Sequence, residues 1–354
     1  MSEDSAKPDP RPRESTHEWT VRAERYAPLI DGEEYFRAVR SSIMAARRQI
    51  IMVGWEIHSE VALLRGRSAE EATERDGFPV VLADLLRRVV EERDELHVYM
   101  LIWSGSALFA MEREHFPPMK RPWEHHPRIR LEWAKDIPSL ASHHQKFVVF
   151  DDRVAYAGGM DLTKARWDAH AHRIDDRRRR KPGLLPSYGK PYHDTMTVLE
   201  GAVAKTLGDL ARTRWEQATS ERLEPPEYAS NTGSHSLWPT ETEPLLECRD
   251  IHISLTQPQY RDRTEKRQVE ASLVQHIRAA QDLVYIETQY LTAAHIVDEL
   301  AGRLKAPDGP QVIIVLPYGC PGLLQSMALD HERDRLLRML RDADPGGRLG
   351  IYWP

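Results

Sequence analysis

Residues 141–162 read ASHHQKFVVFDDRVAYAGGMDL, and the reading of this stretch decides the fold. Two apolar, β-favouring runs, 145–150 and 153–158, flank Asp151–Asp152, which is the pattern of a hairpin. Side chains alternate along a strand, so His144 and Lys146 share one face and can point into one pocket, while Phe147, Val149 and their neighbours fill core. An imidazole can attack phosphorus and shuttle protons, and an ammonium two residues away supplies fixed positive charge to phosphate oxygens. An aspartate such as Asp151 could orient the imidazole and hold its tautomer. Gly158 and Gly159 let another backbone or a ligand come close. A charged rim on an edge strand would also contain a His and a Lys. The full H-x-K-x-x-x-x-D spacing, running on into Gly-Gly-x-Asp161, favours a site.

Outward from this hairpin the chain alternates helical and strand periods. Residues 33–48 place Phe36, Val39, Ile43 and Ala46 on one helical face, and QIIMVGW follows as a buried strand. VVLADLLRRVVEER then reads as helix and LHVYMLIW as strand, a βαβ rhythm that predicts mixed, mostly parallel sheets covered by helices. DTMTVLEG and a helix through AVAKTLGDLARTRW close the first half. Residues 219–250, rich in Pro, Ser, Thr and Glu, read as a long connection, either an ordered loop or a plain linker.

After the connection the rhythm restarts. Residues 35–57 lie without gaps on 269–291, 98–105 on 312–319, and 128–133 on 348–353, in the same order. The sequence therefore predicts a duplication. The first copy reaches His144 eleven residues after Trp133, whereas Trp353 is followed only by Pro354. One and a half copies are expected, with a second histidine motif past the end of this sequence.

The segment HHQKFVVFDDRVAYAGGMDLTKARWD resembles the first HKD block of the phospholipase D superfamily, which runs on into G-G-x-D-L and G-R-[WY]-D. PYHDTMTVLEGAVAKTLGDLARTRW is similar to that family's P-W-H-D segment with its E-G-P-A helix, and VYIETQYL to its Y-I-E-N-Q-[FY]-F strand. The departures are Ala165 for glycine, Tyr192 for tryptophan and Thr288 for asparagine. The resemblance spans roughly residues 20–354 and implies an α/β pseudo-dimer of two halves, the second incomplete.

It further implies His144 as the nucleophile that forms a phosphohistidine, Lys146 as the grip on phosphoryl oxygens, and Asp151 as the completing member, through positioning. Asp161, His193, Glu287 and Gln289 would line or support the substrate pocket, with His143 beside it. No cofactor and no metal site is expected, because paired His and Lys residues do the electrostatic work. Family members join two HKD copies, one histidine attacking and the other protonating the leaving alcohol. With one copy, the chain is expected to need a complementing second-half polypeptide or a homodimer, and a truncated or split-gene product is the simpler reading.

The remaining features bound the function. Apolar residues make up 41% and charged residues 29%, a globular composition, and a net charge of −6 argues against a strongly basic nucleic-acid binder. Cys248 and Cys320 match no metal spacing or disulfide framework, which fits a cytoplasmic, reducing compartment. The apolar runs are of strand length, so membrane contact is expected to be peripheral. Residues 1–19 read as a disordered tail, 20–218 as the first half and 251–354 as the partial second. His125–His126, His170 and His172 form no zinc pattern, and Arg177–Lys181 reads as a solvated loop or a contact for anionic phospholipid. No Walker loop, G-x-G-x-x-G or G-x-S-x-G is present. The expected reaction is hydrolysis or transphosphatidylation of a phospholipid at a membrane surface, with no nucleic acid as partner. The alternatives are phosphatidyl transfer as in cardiolipin synthases, a nucleic-acid phosphodiesterase, and a dead lipid-binding fragment.

Overall fold

The computed structural model describes residues 15–105, 126–138, 141–181, 187–227, 236–317 and 323–353. The tail expected over 1–19 lies outside the described residues as far as residue 14, as does Cys320. The chain divides into two compact units, Thr20–Ile251, and Met1–Trp19 together with His252–Pro354.

The first unit runs β1 (Trp19–Ile30), α1 (Asp31–Ala45), β2 (Gln49–Gly54), α2 (Arg67–Asp76), α3 (Leu82–Glu92), β3 (His97–Trp103), β4 (Ile129–Ala134), β5 (Phe147–Phe150) and β6 (Val154–Gly158). A short ribbon of β7 (Arg180–Lys181) and β8 (Ser187–Tyr188) follows, then β9 (Thr195–Glu200), α4 (Ala202–Thr219) and β10 (Leu246–Ile253). Eight strands form one mixed sheet in the order β10-β1-β9-β6-β5-β2-β3-β4. The strands joined by helical crossovers, β2–β3 and β3–β4, pair parallel, while β5, β6 and β9 pair antiparallel with their neighbours.

Helix α1 buries the face read from the sequence: Phe36, Val39, Ile43 and Ala46 are all fully buried. Burying such a Phe, Val or Ile side chain contributes about 1.5–3 kcal/mol. The helix begins two residues earlier than expected, where Glu34 Oε2 accepts the Ile30 N–H at 2.8 Å. It stops at Ala45 because the next N–H groups are taken elsewhere, as described below. Strand β2 is buried on both faces. Ile50 and Met52 join the core beneath α1 and α3, while α4 crosses the other side of β2, β4, β5, β6 and β9.

The Pro- and Glu-rich connection is ordered in its second part. Leu237 and Trp238 are buried in the first unit's core, and the Trp238 indole donates to the Thr242 carbonyl at 2.7 Å. The connection ends in β10, an edge strand on β1. Its residues, LECRDIHI, are mostly exposed and pair through backbone, so no apolar alternation announces them.

Asp151, expected to complete the motif through positioning, is held by backbone on the far side of the hairpin from His144. Its carboxylate accepts the backbone N–H groups of Arg47 at 2.7 Å, Arg48 at 2.8 Å and Gln49 at 2.7 Å. It is buried at the end of β5 away from His144, with the four-residue strand, about 13 Å long, lying between them. Asp151 and Asp152 both take positive φ, 53° and 51°, as mirror-image hairpin turns require. The Asp152 carboxylate pairs with Arg212 of α4 at 2.7 Å, and a Cβ at Gly208 would fall 2.0 Å from Asp152 Oδ1. The motif aspartate is therefore a structural clasp between hairpin and helix end.

In the second unit a ribbon of β11 (Thr256–Gln257) and β12 (Lys266–Arg267) precedes α5 (Gln268–Ala279), β13 (Leu283–Glu287), α6 (Ala294–Lys305), β14 (Gln311–Val315), α7 (Leu323–Asp342) and β15 (Leu349–Tyr352). Strands β13, β14 and β15 pair parallel over a core that includes Ile277, Leu300, Val312, Ile314 and Leu336. The registers repeat those of the first unit. Gln49 faces His97 as Leu283 faces Gln311, and Val98 faces Ile129 as Val312 faces Leu349. These are the pairs the sequence alignment matches, so the duplication is structural. The repeat is partial: β2 carries β5 on its outer edge, but β13 has no partner there among the described residues. Leu283, Tyr285 and Tyr352 stand 50%, 54% and 56% exposed.

Replacing Asp151 with alanine strands three backbone donors, and the first unit is expected to lose about 2–4 kcal/mol, read by urea unfolding. An unchanged midpoint would remove the clasp from this account.

Candidate active site

The site forms where several chain ends meet on one side of the first sheet. Val53, near the carboxyl end of β2, pairs with Phe147 at the start of β5, and Phe147 pairs with Ala157 near the end of β6. Gly158 pairs with Met196 at the start of β9. The first turn of α1 reaches the same place, since the Asp31 N–H donates to the Asp194 carbonyl at 2.9 Å. The carboxyl ends of parallel strands are where α/β sheets build ligand sites. The two glycines serve a close approach of backbone: a Cβ at Gly158 would lie 2.5 Å from the Thr195 carbonyl oxygen, and one at Gly159 2.1 Å from the Asp194 carboxylate.

Residues 142–146 lead into β5 and are tethered on nearly every side chain. Trp55 Nε1 donates to Ser142 Oγ at 3.2 Å, and the Trp55 ring packs against Trp103 with centroids 5.5 Å apart. His143 Nε2 meets Asp136 Oδ1 at 3.2 Å. Gln145 accepts from Arg214 of α4. Lys146 is buried, donates to the His144 carbonyl at 3.1 Å, and lies 3.4 Å from Asp161 Oδ2. His144 alone of this run makes no side-chain hydrogen bond among the described residues, and its imidazole is exposed.

The charges are set by these surroundings. Burial lowers the Lys146 pKa and raises that of Asp161, each opposed by the other's charge. The Asp161 carboxylate also accepts the Trp55 N–H at 2.8 Å and the Glu56 N–H at 3.3 Å. The His144 imidazole is lowered to about 4, first by desolvation and then by the positive charges of Lys146 and Arg166. It is neutral at pH 7, the form with a free nitrogen lone pair. Asp136, beside His143 and Arg214, is held at about 2 against the effect of burial, so its carboxylate keeps its charge.

The other expected residues fall in two places. His193 belongs to a neighbouring cluster, its Nδ1 2.7 Å from Asp31 Oδ1. His172 Nε2 lies 3.3 Å from Asp31 Oδ2, and the other ring nitrogen of His172 is 2.9 Å from Asp168 Oδ2. Donor atoms of Asp31, His172 and His193 lie within 4.8 Å of one another. One carboxylate and two imidazoles, one of them steadied by a second carboxylate, make a donor set that could hold a divalent cation. No local pattern links Asp31 to His172 and His193, which lie far apart in the sequence. Glu287 and Gln289 lie in the second unit, at and just beyond the carboxyl end of β13, where the repeat aligns them with Val53 and Trp55. Glu287 Oε1 accepts the Tyr285 hydroxyl at 2.5 Å.

Two arginines of the basic run are engaged within the first unit. Arg178 pairs with Glu33 and Asp176, each at 2.7 Å, and Arg179 is buried against Asp168. Arg65 and Arg178 stack on the buried Trp167 ring at 4.6 and 4.9 Å. Arg177 is exposed.

The depressed His144 pKa has a definite sign. Between about 4 and the free value of 6.5 the unfolded chain binds this proton and the folded chain does not. The group therefore weakens folding as pH falls through that window and has no such effect above it. Ring resonances of His144 are expected to titrate with a midpoint near 4 by NMR, and a midpoint near 6.5 would contradict this environment.

The profile of the family described as Phospholipase D matches residues 42–299. A phospholipase D of Phytophthora infestans is 33% identical over 185 residues, covering 50% of this chain and 10% of that protein. Phospholipase D alpha 1 of Vigna unguiculata is 22% identical over 412 aligned positions, covering 89% of this chain and 50% of its own length. The chain thus spans half or less of these relatives. The crystal structure of a phosphatidylserine synthase of Haemophilus influenzae superposes with a TM-score of 0.53 at 13% identity, covering 94% of this chain and 73% of that one, a likeness of fold. With the family profile matched across well over half of its residues and the H-x-K pair standing at the carboxyl edge of the sheet, this chain belongs to the phospholipase D family.

Proposed function

We propose that this chain carries one half of a phospholipase D-type site, which cleaves phospholipid phosphodiesters, or transfers their phosphatidyl group, through a phosphohistidine. The observation that carries the reading is the neutral, exposed imidazole of His144 beside the buried Lys146–Asp161 pair. An imidazole nitrogen attacks phosphorus, an N–P bond forms, and the P–O bond to the head-group alcohol breaks. Lys146 supplies positive charge to the phosphoryl oxygens as negative charge builds there. Water or an acceptor alcohol then attacks phosphorus and releases the imidazole.

The departing alkoxide needs a proton, and His144, whose nitrogen is bonded to phosphorus, cannot give it. The sequence contains one H-x-K. We assign the proton to a second His–Lys pair on a complementing half or a second copy of the chain. The outer edge of β13, unpartnered among the described residues, and the exposed Leu283 and Tyr285 on that strand support such a partner, since a hairpin like β5–β6 occupies the equivalent edge of β2. No described helix is long and apolar enough to cross a membrane, and substrate would be met at a bilayer surface through peripheral contact.

Choline or ethanolamine release from phospholipid vesicles tests the reading, with the chain alone and mixed with a half that bears H-x-K. Release lost in His144→Ala by a factor of about 10³ or more is expected. Cleavage of plasmid DNA with no head-group release would overturn the lipid assignment.

A further inference from the structure

Beside His144 and Lys146 stands a second cation, Arg166, to which the family resemblance assigns no role. Arg166 comes one turn after Asp161: the Thr163 N–H donates to the Asp161 carbonyl at 2.9 Å, and the Arg166 N–H to the Thr163 carbonyl at 3.2 Å. Its backbone is pinned against the first turn of α1, where a Cβ on Gly32 would fall 2.3 Å from the Arg166 carbonyl oxygen. The next two residues, Trp167 and Asp168, are buried. The position of its Cα is thus fixed by packing.

Its guanidinium lies over the Tyr192 ring, 4.6 Å from the centroid. That ring is itself held at both ends, by the Tyr192 N–H donating to Asp168 Oδ2 at 2.9 Å and by its hydroxyl donating to Asp194 Oδ2 at 2.9 Å. Stacking occupies the flat face of a guanidinium and leaves its edge N–H groups to bind something else. Among the described residues no carboxylate comes within ion-pair distance of Arg166, and its side chain donates no hydrogen bond. Arg65, Arg178, Arg179, Arg212 and Arg214 nearby all donate hydrogen bonds to protein groups. The backbone of Arg166 follows Asp161 by one turn, and its charge acts on His144, Lys146 and Asp161 as well.

Resting on the phosphodiester reading, we propose that Arg166 is a phosphate-binding residue of this half-site, its stacked guanidinium donating to the phosphoryl oxygens alongside the Lys146 ammonium. Lys146 is already drawn to Asp161, so its charge reaches the substrate partly balanced. With no anionic partner among the described residues, the guanidinium offers its charge and a planar pair of donors to a tetrahedral anion. The Tyr192 ring keeps that plane in place at little entropic cost.

Inorganic phosphate is the probe, titrated calorimetrically into the full chain at low ionic strength. Arg166→Gln is expected to weaken binding about tenfold or more, as loss of a charge-assisted hydrogen bond does, with Lys146→Gln weakening it comparably. Arg166→Lys should retain part of the affinity, and Tyr192→Ala should weaken binding while leaving the charge in place. Should Arg166→Gln fail to fold by circular dichroism, the shift of the Arg166 Nε–H resonance of the unmutated chain on adding phosphate takes its place, and a stationary resonance overturns the proposal. Phosphate binding that Lys146→Gln weakens and Arg166→Gln leaves unchanged overturns the role of Arg166 and spares the phosphodiester reading. A chain that binds no phosphate at all overturns both.

Discussion

The grip of the Asp151 carboxylate on the N–H groups of residues 47–49 is the constraint on which the first unit depends. It closes α1, starts β2, and sets the end of β5 against Gln49, whose carbonyl accepts the Asp151 N–H at 2.8 Å. A strand slipped by one residue turns each side chain to the opposite face. With β5 pinned at Asp151, the chain before it arrives at the far end of β2 in one register, and His144 and Lys146 arrive with it. The Asp152–Arg212 pair fastens the same turn to α4, whose Arg214 in turn holds Gln145. The hairpin is thus clamped at both ends by one helix.

At the other end of the hairpin, burial acts on charge. Lys146 and Asp161 are nearly inaccessible, and each is tolerable there because the other is 3.4 Å away and the backbone of Trp55 and Glu56 completes the carboxylate. Desolvation first, and then the positive charges of Lys146 and Arg166, keep His144 unprotonated. The side chains around His144 are tethered while its own ring is not, so the geometry fixes the backbone that carries the imidazole.

The two units show how far a duplicated framework can diverge in burial. Strand registers coincide across the repeat, yet β2 is buried on both faces while β13 alternates between half-buried and exposed residues. The difference lies in what covers them. In the first unit α4 and β5 close the outer face and edge of β2, and in the second nothing among the described residues does so. Tyr285 and Leu283 hold the positions that Ile51 and Gln49 take in the first unit.

The sequence by itself determined what rests on local period and spacing. Phe36, Val39 and Ile43 recur at helical intervals, the apolar strands are bounded by turn residues, and the duplicated segments align at the registers the strands adopt. It also singled out His144, Lys146 and Asp161 by their spacing within eighteen residues, although His144 and Lys146 precede β5 rather than lie on it. Strand β10 stayed hidden, since an exposed edge is held by backbone and carries no apolar signature. What Asp151 positions was not legible, because its partners are peptide N–H groups about a hundred positions earlier, and any residue type supplies those. The Asp31–His172–His193 cluster, the Asp136–His143 pair and the seat of Arg166 on Tyr192 were decided by the tertiary structure alone. Polar side chains meet across long loops only once the sheet has set where those loops end, and no periodicity in the chain records such a meeting.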